Sequence, residues 1–181
     1  LRSILILGTG NPMYGDDSVG YCLVRAMSKC SSFENARVEF IYKTSLTIAD
    51  TSYLEGRDVI VIVDAGEGLD RDYQLYKVEA DMLEGELLEQ LSRPIDSHDV
   101  SPINIVSAAK SAGLLRGTVF LLLVKPELLE FGAGLSEKAA SRVLAALHGL
   151  CRAFREECRL NRGCAESLVG ECIGNPLVDL K

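Results

Sequence analysis

The sequence predicts an α/β protein, a three-layer sandwich whose mostly parallel, mixed and twisted sheet is flanked by helices on both faces. Three observations predict it. Short apolar runs alternate with segments of helical period, the pattern of parallel strands joined by crossover helices. The run Val59-Ile60-Val61-Ile62-Val63 is β-branched and uninterrupted, as a central strand buried on both faces requires. The first apolar run passes straight into a glycine-rich loop and then a helix, an order that gathers polar loops beyond the carboxyl ends of the strands.

The opening strand spans 3–7. A helix over 17–29 follows, because Val19, Cys22, Leu23 and Ala26 share one stripe. Residues 38–42 form a second strand and 48–54 a short helix. After the central strand 59–63, which ends at Asp64, the residues Tyr73, Leu75, Tyr76 and Val78 make a strand suited to an antiparallel place at an edge. Residues 82–91 form a short helical or irregular segment. Pro102 stands in the first turn of a helix reaching about Ala112, where a missing N–H is not needed, and Gly113 closes it. A core strand over 119–124 is stopped by Pro126. The last long helix begins at Leu135-Ser136-Glu137 and keeps its period through Ala140, Val143, Leu144, Leu147, Cys151, Phe154 and Cys158. After Arg159 the pattern fails. Residues 1–158 are therefore expected to form one α/β domain, with 159–181 a cysteine-containing C-terminal appendage that is partly disordered.

A chain of 181 residues with 48% hydrophobic content suits a single core. The net charge of −7 argues against nucleic acid, whose phosphates call for clustered Lys and Arg. No apolar run approaches the roughly 20 residues of a membrane span, and the opening Ile4-Leu5-Ile6-Leu7 does not lead into a signal-peptide pattern. A cytoplasmic monomer with no membrane partner is expected. The six cysteines, at 22, 30, 151, 158, 164 and 172, include no close pair, so they read as reduced thiols. Cys22, Cys151 and Cys158 lie on apolar stripes, where a free thiol packs as a small hydrophobe.

The segment Gly8-Thr9-Gly10-Asn11 invites a dinucleotide reading, but Met13 stands where the third glycine belongs and Tyr42-Lys43-Thr44 where a ribose-binding acid belongs. Asp16 and Asp17 would also meet a pyrophosphate with like charge. Three polar positions occupy loops at the carboxyl edge: Asp17, Asp64 and His98. Two carboxylates and an imidazole form a mixed oxygen and nitrogen site suited to nickel or zinc, at exposed ligand positions. Structural readings stand beside this one. Asp16 or Asp17 can cap the first helix, Asp64 can form a turn with Gly66, and His98 can be a loop residue beside the cap Ser97 or Asp99. His148 lies beside the stripe of the last helix and reads as structural. Val63-Asp64-Ala65-Gly66 suggests an aspartic-protease turn, but there is only one, and Asp16 and Asp17 point about 100° apart on a helix.

At these residues the sequence resembles the hydrogenase maturation proteases, from about Ile4 to Leu147. The family pattern of an apolar strand followed by G-x-G-N-x-x-x-x-D-[DE]-x-x-G is matched by Gly8-Thr9-Gly10-Asn11, Gly15-Asp16-Asp17 and Gly20. The central strand ending in Asp64, the Ser97-His98 loop, Pro126 to Phe131-Gly132, and Leu135-Ser136 also resemble it. His98 followed by Pro102 looks closest to the branch serving formate-linked and coenzyme-F420-reducing hydrogenases. The resemblance implies an endopeptidase, conventionally grouped with the aspartic endopeptidases. Its partner would be the large-subunit precursor of a nickel-iron hydrogenase, from which it removes a C-terminal extension. Asp17, Asp64 and His98 would then contact the nickel already inserted in the precursor, and in isolation the site would accept Ni, Zn or Cd. Asp16 would support the trio, and Gly8, Gly10 and Asn11 would offer hydrogen-bond donors. A nickel- or zinc-binding delivery factor that cuts nothing is the alternative, and a nucleotide-binding regulator the third reading.

Overall fold

The computed structural model describes residues 1–79, 100–154 and 157–174. The expected segment at 82–91 and the Ser97-His98 loop lie outside them. Five strands, β1 (Arg2–Thr9), β3 (Ala36–Lys43), β4 (Val59–Ala65), β5 (Tyr73–Lys77) and β6 (Thr118–Val124), form one sheet in the order β3-β1-β4-β6-β5. The first four of that order run parallel, and β5 lies antiparallel on β6 at the edge. The register sets Gly8 of β1 between Tyr42 of β3 and Val63 of β4. β2 (Ser31–Phe33) and β7 (Cys158–Leu160) make a separate antiparallel pair.

Alternation along β1 divides the core into two layers. Ile4 and Ile6 face α1 (Val19–Cys30), α3 (Glu137–Ala153) and α4 (Arg162–Gly170), whereas Leu5 and Leu7 face α2 (Pro102–Ser111) and the 3-10 turn Ile48–Leu54. All four are fully buried, and each such side chain contributes about 1.5–3 kcal/mol on leaving water. Helices thus cover both faces of a mixed sheet, the predicted three-layer sandwich. Pro102 stands in the first turn of α2, as the sequence indicated, and the cap is Ser101, which accepts from the Asn104 N–H at 3.3 Å, rather than the expected Ser97 or Asp99.

Four expectations are corrected. The first helix does not start at 17: Gly15–Ser18 is a 3-10 turn, and α1 begins at Val19. The last long helix stops at Ala153, because the chain turns at Phe154, whose carbonyl accepts from the Cys158 N–H at 2.7 Å. The stretch after Arg159 contains a helix, α4, capped by the Asn161 side chain at 3.1 Å from the Cys164 N–H and packed on α1. The cysteines are not free thiols. Cys22 pairs with Cys172, Cys30 with Cys164, and Cys151 with Cys158. The first two pairs join residues 150 and 134 apart in the chain, a proximity that only the docking of α4 on α1 creates. No helix among the described residues is long and apolar enough to cross a membrane.

Candidate functional site

The glycine motif has a steric explanation. A Cβ on Gly8 would overlap the Gly20 carbonyl, and one on Gly20 would overlap Thr9 and stand 3.0 Å from the Val63 carbonyl oxygen. Two bare Cα positions therefore let the start of α1 press onto the carboxyl ends of β1 and β4. Gly10 has φ +125°, and a side chain there would collide with the Asp17 backbone, so the loop can fold back on the 3-10 turn only with glycine.

That folded loop positions Asp17. The Asn11 N–H donates to Asp17 Oδ2 at 2.6 Å, the Asn11 side chain accepts from the Met13 N–H at 2.9 Å, and the Asp17 N–H donates to the Tyr14 carbonyl at 3.2 Å. The Tyr42 hydroxyl reaches across from β3 to donate to the Gly10 carbonyl at 2.7 Å, with the Tyr21 ring edge-on to it at 5.0 Å. Burial pushes the Tyr42 hydroxyl up to about 12; a hydrogen bond with Thr44 offsets part of this, and the negative Asp17 adds to it. Asp17 is only 8% exposed, which corrects the expectation of an open ligand position. The cause is the 3-10 turn, which tucks the carboxylate beneath the loop. The Asn11 N–H, expected as a donor toward substrate, is used on Asp17 instead.

Asp64 is half-buried near the end of β4, and its Oδ1 accepts from the Ala65 N–H at 2.8 Å. The 3-10 turn bearing Asp17 packs against β4, so both carboxylates lie at the carboxyl edge of neighbouring parallel strands. His98 lies outside the described residues, and among those residues no group of three His, Cys, Asp or Glu side chains is gathered as metal ligands would be.

Asp16 points away from its neighbour. Fully buried, it accepts from the Glu127 and Leu128 N–H groups at 2.7 and 2.8 Å, from the Ser136 N–H at 2.7 Å and from the Ser136 hydroxyl at 2.8 Å. Ser136 in turn caps α3 through the Ala139 N–H at 3.1 Å. Asp16 thus caps no helix of its own; it fastens the site loop to the segment after β6. Sequence reading missed the second fastener, Arg142. Buried in α3, it donates through Nη1 to the Lys125 carbonyl at 2.9 Å and through Nε to Asp72 at 3.1 Å. The signal was present, since Arg142 shares the helical stripe of Ala139, Val143 and Ala146, where an unpaired charge would not be tolerated.

Comparison with solved structures finds this architecture in several hydrogenase maturation endopeptidases. The hydrogenase maturating endopeptidase HybD from E. coli matches with a TM-score of 0.69 at 21% identity, over 86% of this chain and 93% of that one. A hydrogenase 2 maturation peptidase from a Thaumarchaeota archaeon matches with a TM-score of 0.59 at 26% identity, over 84% and 98%. The chain has the fold of the hydrogenase maturation endopeptidases. The [NiFe] hydrogenase maturation protease HycI from Thermococcus kodakarensis shares it too, with a TM-score of 0.64 at 18% identity over 85% and 93%. No family model and no curated protein matches the chain. The chain covers nearly all of each of these structures.

Proposed function

We propose that the chain is a cytoplasmic endopeptidase that removes the C-terminal extension of a nickel-loaded hydrogenase large-subunit precursor. In this reading Asp17, Asp64 and His98 contact the precursor's nickel. The observation that supports it most is the placement of Asp17, on the turn after β1, and Asp64, near the end of β4, at one sheet edge of a fold shared with maturation endopeptidases. The spacing from His98 to Pro102 supports a substrate from the formate-linked or coenzyme-F420-reducing group.

Recognition comes first in the mechanism. The carboxylates and the imidazole hold the metal-bearing part of the precursor, which brings the adjoining peptide against the loop from Gly8 to Asp17; the gain is positioning. A nickel ion in the precursor supplies polarisation of water or of the peptide carbonyl. A carboxylate of this chain takes the proton from water as it attacks. Asp16 cannot be the second member of an aspartic dyad, because both its oxygens already accept hydrogen bonds from the segment after β6. Among the described residues, the acids placed for such a pairing are Asp17 and Asp64.

The test is incubation of the purified chain with nickel-loaded and nickel-free precursor, followed by the mass of the large subunit. Loss of a C-terminal peptide from the loaded form alone is the expected result. An unchanged mass with transfer of metal would instead establish a delivery factor.

A further inference from the structure

Large apolar side chains left in water without a packing role are uncommon as a cluster and mark interaction surfaces. Three stand together here. Tyr14, Leu128 and Phe131 are 36%, 40% and 69% exposed, and none belongs to either core layer. They come from two loops that are stitched to each other. Tyr14 and Phe131 form an antiparallel bridge, the Asp16 N–H donates to the Leu128 carbonyl at 2.8 Å, and the Gly132 N–H to the Met13 carbonyl at 2.8 Å. The buried Asp16 carboxylate clamps the second loop at Glu127 and Leu128, and Arg142 holds its start. The surface is therefore fixed before any partner arrives, which removes most of the ordering cost of binding.

Residues 10–18 and 126–136 include Asp16, Asp17, Glu127 and Glu130 and no Lys or Arg. Of the acids on these loops, Asp16 and Asp17 are buried and Glu127 is paired with Lys138 and Arg142, so Glu130 is the charge they offer to a partner. A second copy of the chain would bring Glu130 toward like charge, so self-association is opposed. A partner bearing an apolar side chain flanked by basic residues is favoured by both features.

We infer that Tyr14, Leu128 and Phe131, bordered by Glu130, form the surface on which the precursor polypeptide docks, seating an apolar side chain of the partner with basic residues beside it. This rests on the function proposed above. The surface adjoins the Asp17 turn, whose Asp17 N–H donates to the Tyr14 carbonyl at 3.2 Å. Its affinity is concentrated in the aromatic pair, as at other protein interfaces.

Binding of the nickel-loaded precursor to the full chain, measured by interferometry separately from cleavage, tests the inference. Phe131→Ser and Tyr14→Ser should each weaken binding by about tenfold or more, with Phe131→Leu restoring most of it and thermal unfolding little changed. Glu130→Lys should weaken binding and flatten its dependence on salt. In processing assays the serine variants should raise KM and leave kcat within about twofold, since they touch recognition and not the reacting groups. Unchanged affinity in both serine variants overturns the docking surface, whether or not the parent cleaves. A parent that binds in this way but never cleaves overturns the proposed function and leaves the surface standing. A parent that does not bind the precursor overturns both, and a dimer that Phe131→Ser dissolves assigns the patch to self-association instead.

Discussion

Asp16 and Asp17 are adjacent, yet the fold separates their duties. Asp16 has four donors pointed at it and no exposure, so Asp16→Ala strands buried N–H groups at roughly 1–3 kcal/mol each. A loss of at least about 3 kcal/mol in denaturant unfolding is expected, and a loss under about 1 kcal/mol would remove its structural role. Asp17→Asn keeps an oxygen able to accept from the Asn11 N–H, so it should lower stability by only about 1 kcal/mol while abolishing precursor processing. Tyr42 offers a pH test. Its pKa rises from 10.0 to about 12 on folding, so the fold favours the protonated hydroxyl; the stability this contributes is complete below pH 10 and is lost between about 10 and 12. Unfolding free energies of Tyr42→Phe and its parent should converge in slope below that window and diverge within it.

The glycines act at the level of the elements, by setting how closely α1 lies on β1 and β4. Gly8→Ala or Gly20→Ala places a methyl inside neighbouring backbone, which flexible side chains cannot relieve. Either change should destabilise by about 3 kcal/mol or more, read by thermal unfolding, and should also impair processing because Asp17 rides on the start of that helix. Strand order follows the same close packing, since parallel neighbours β1 and β4 are bridged by α1 and present their carboxyl ends to one edge. The periodic elements were legible in the sequence, including the edge position of Tyr73–Lys77 and the place of Pro102 in the first turn of α2. Their ends were not. The helix predicted from 17 begins two residues later because 15–18 take 3-10 geometry, with the Asp17 and Val19 N–H groups bonded to carbonyls three residues back, and the helix predicted to reach Cys158 stops at Ala153, which lets Cys158 meet Cys151.

Across the whole molecule the disulfides tie α4 back onto α1. Cys22–Cys172 and Cys30–Cys164 close loops of 150 and 134 residues, and linking such distant positions constrains the unfolded chain by a few kcal/mol in the entropic account. Reduction should therefore lower the unfolding midpoint, with thiol counting expected to find no reactive cysteine in the native oxidised protein and six after denaturation in reductant. Cys164 is the partly exposed member, so Cys30–Cys164 should be the first of the two long-range pairs to yield.

The sequence by itself determined the layers of this protein and the loops that carry its acids, because periodicity and β-branched composition are local properties written along the chain. It also singled out Gly8, Gly10, Gly20, Asp17 and Asp64. Only the tertiary structure decided which acid faces which loop, that Arg142 and Asp16 jointly fasten the segment beside the site, and which cysteine meets which. Each of those outcomes depends on contacts between residues far apart in the chain, and a linear pattern holds no record of distance until the sheet and its helices have packed.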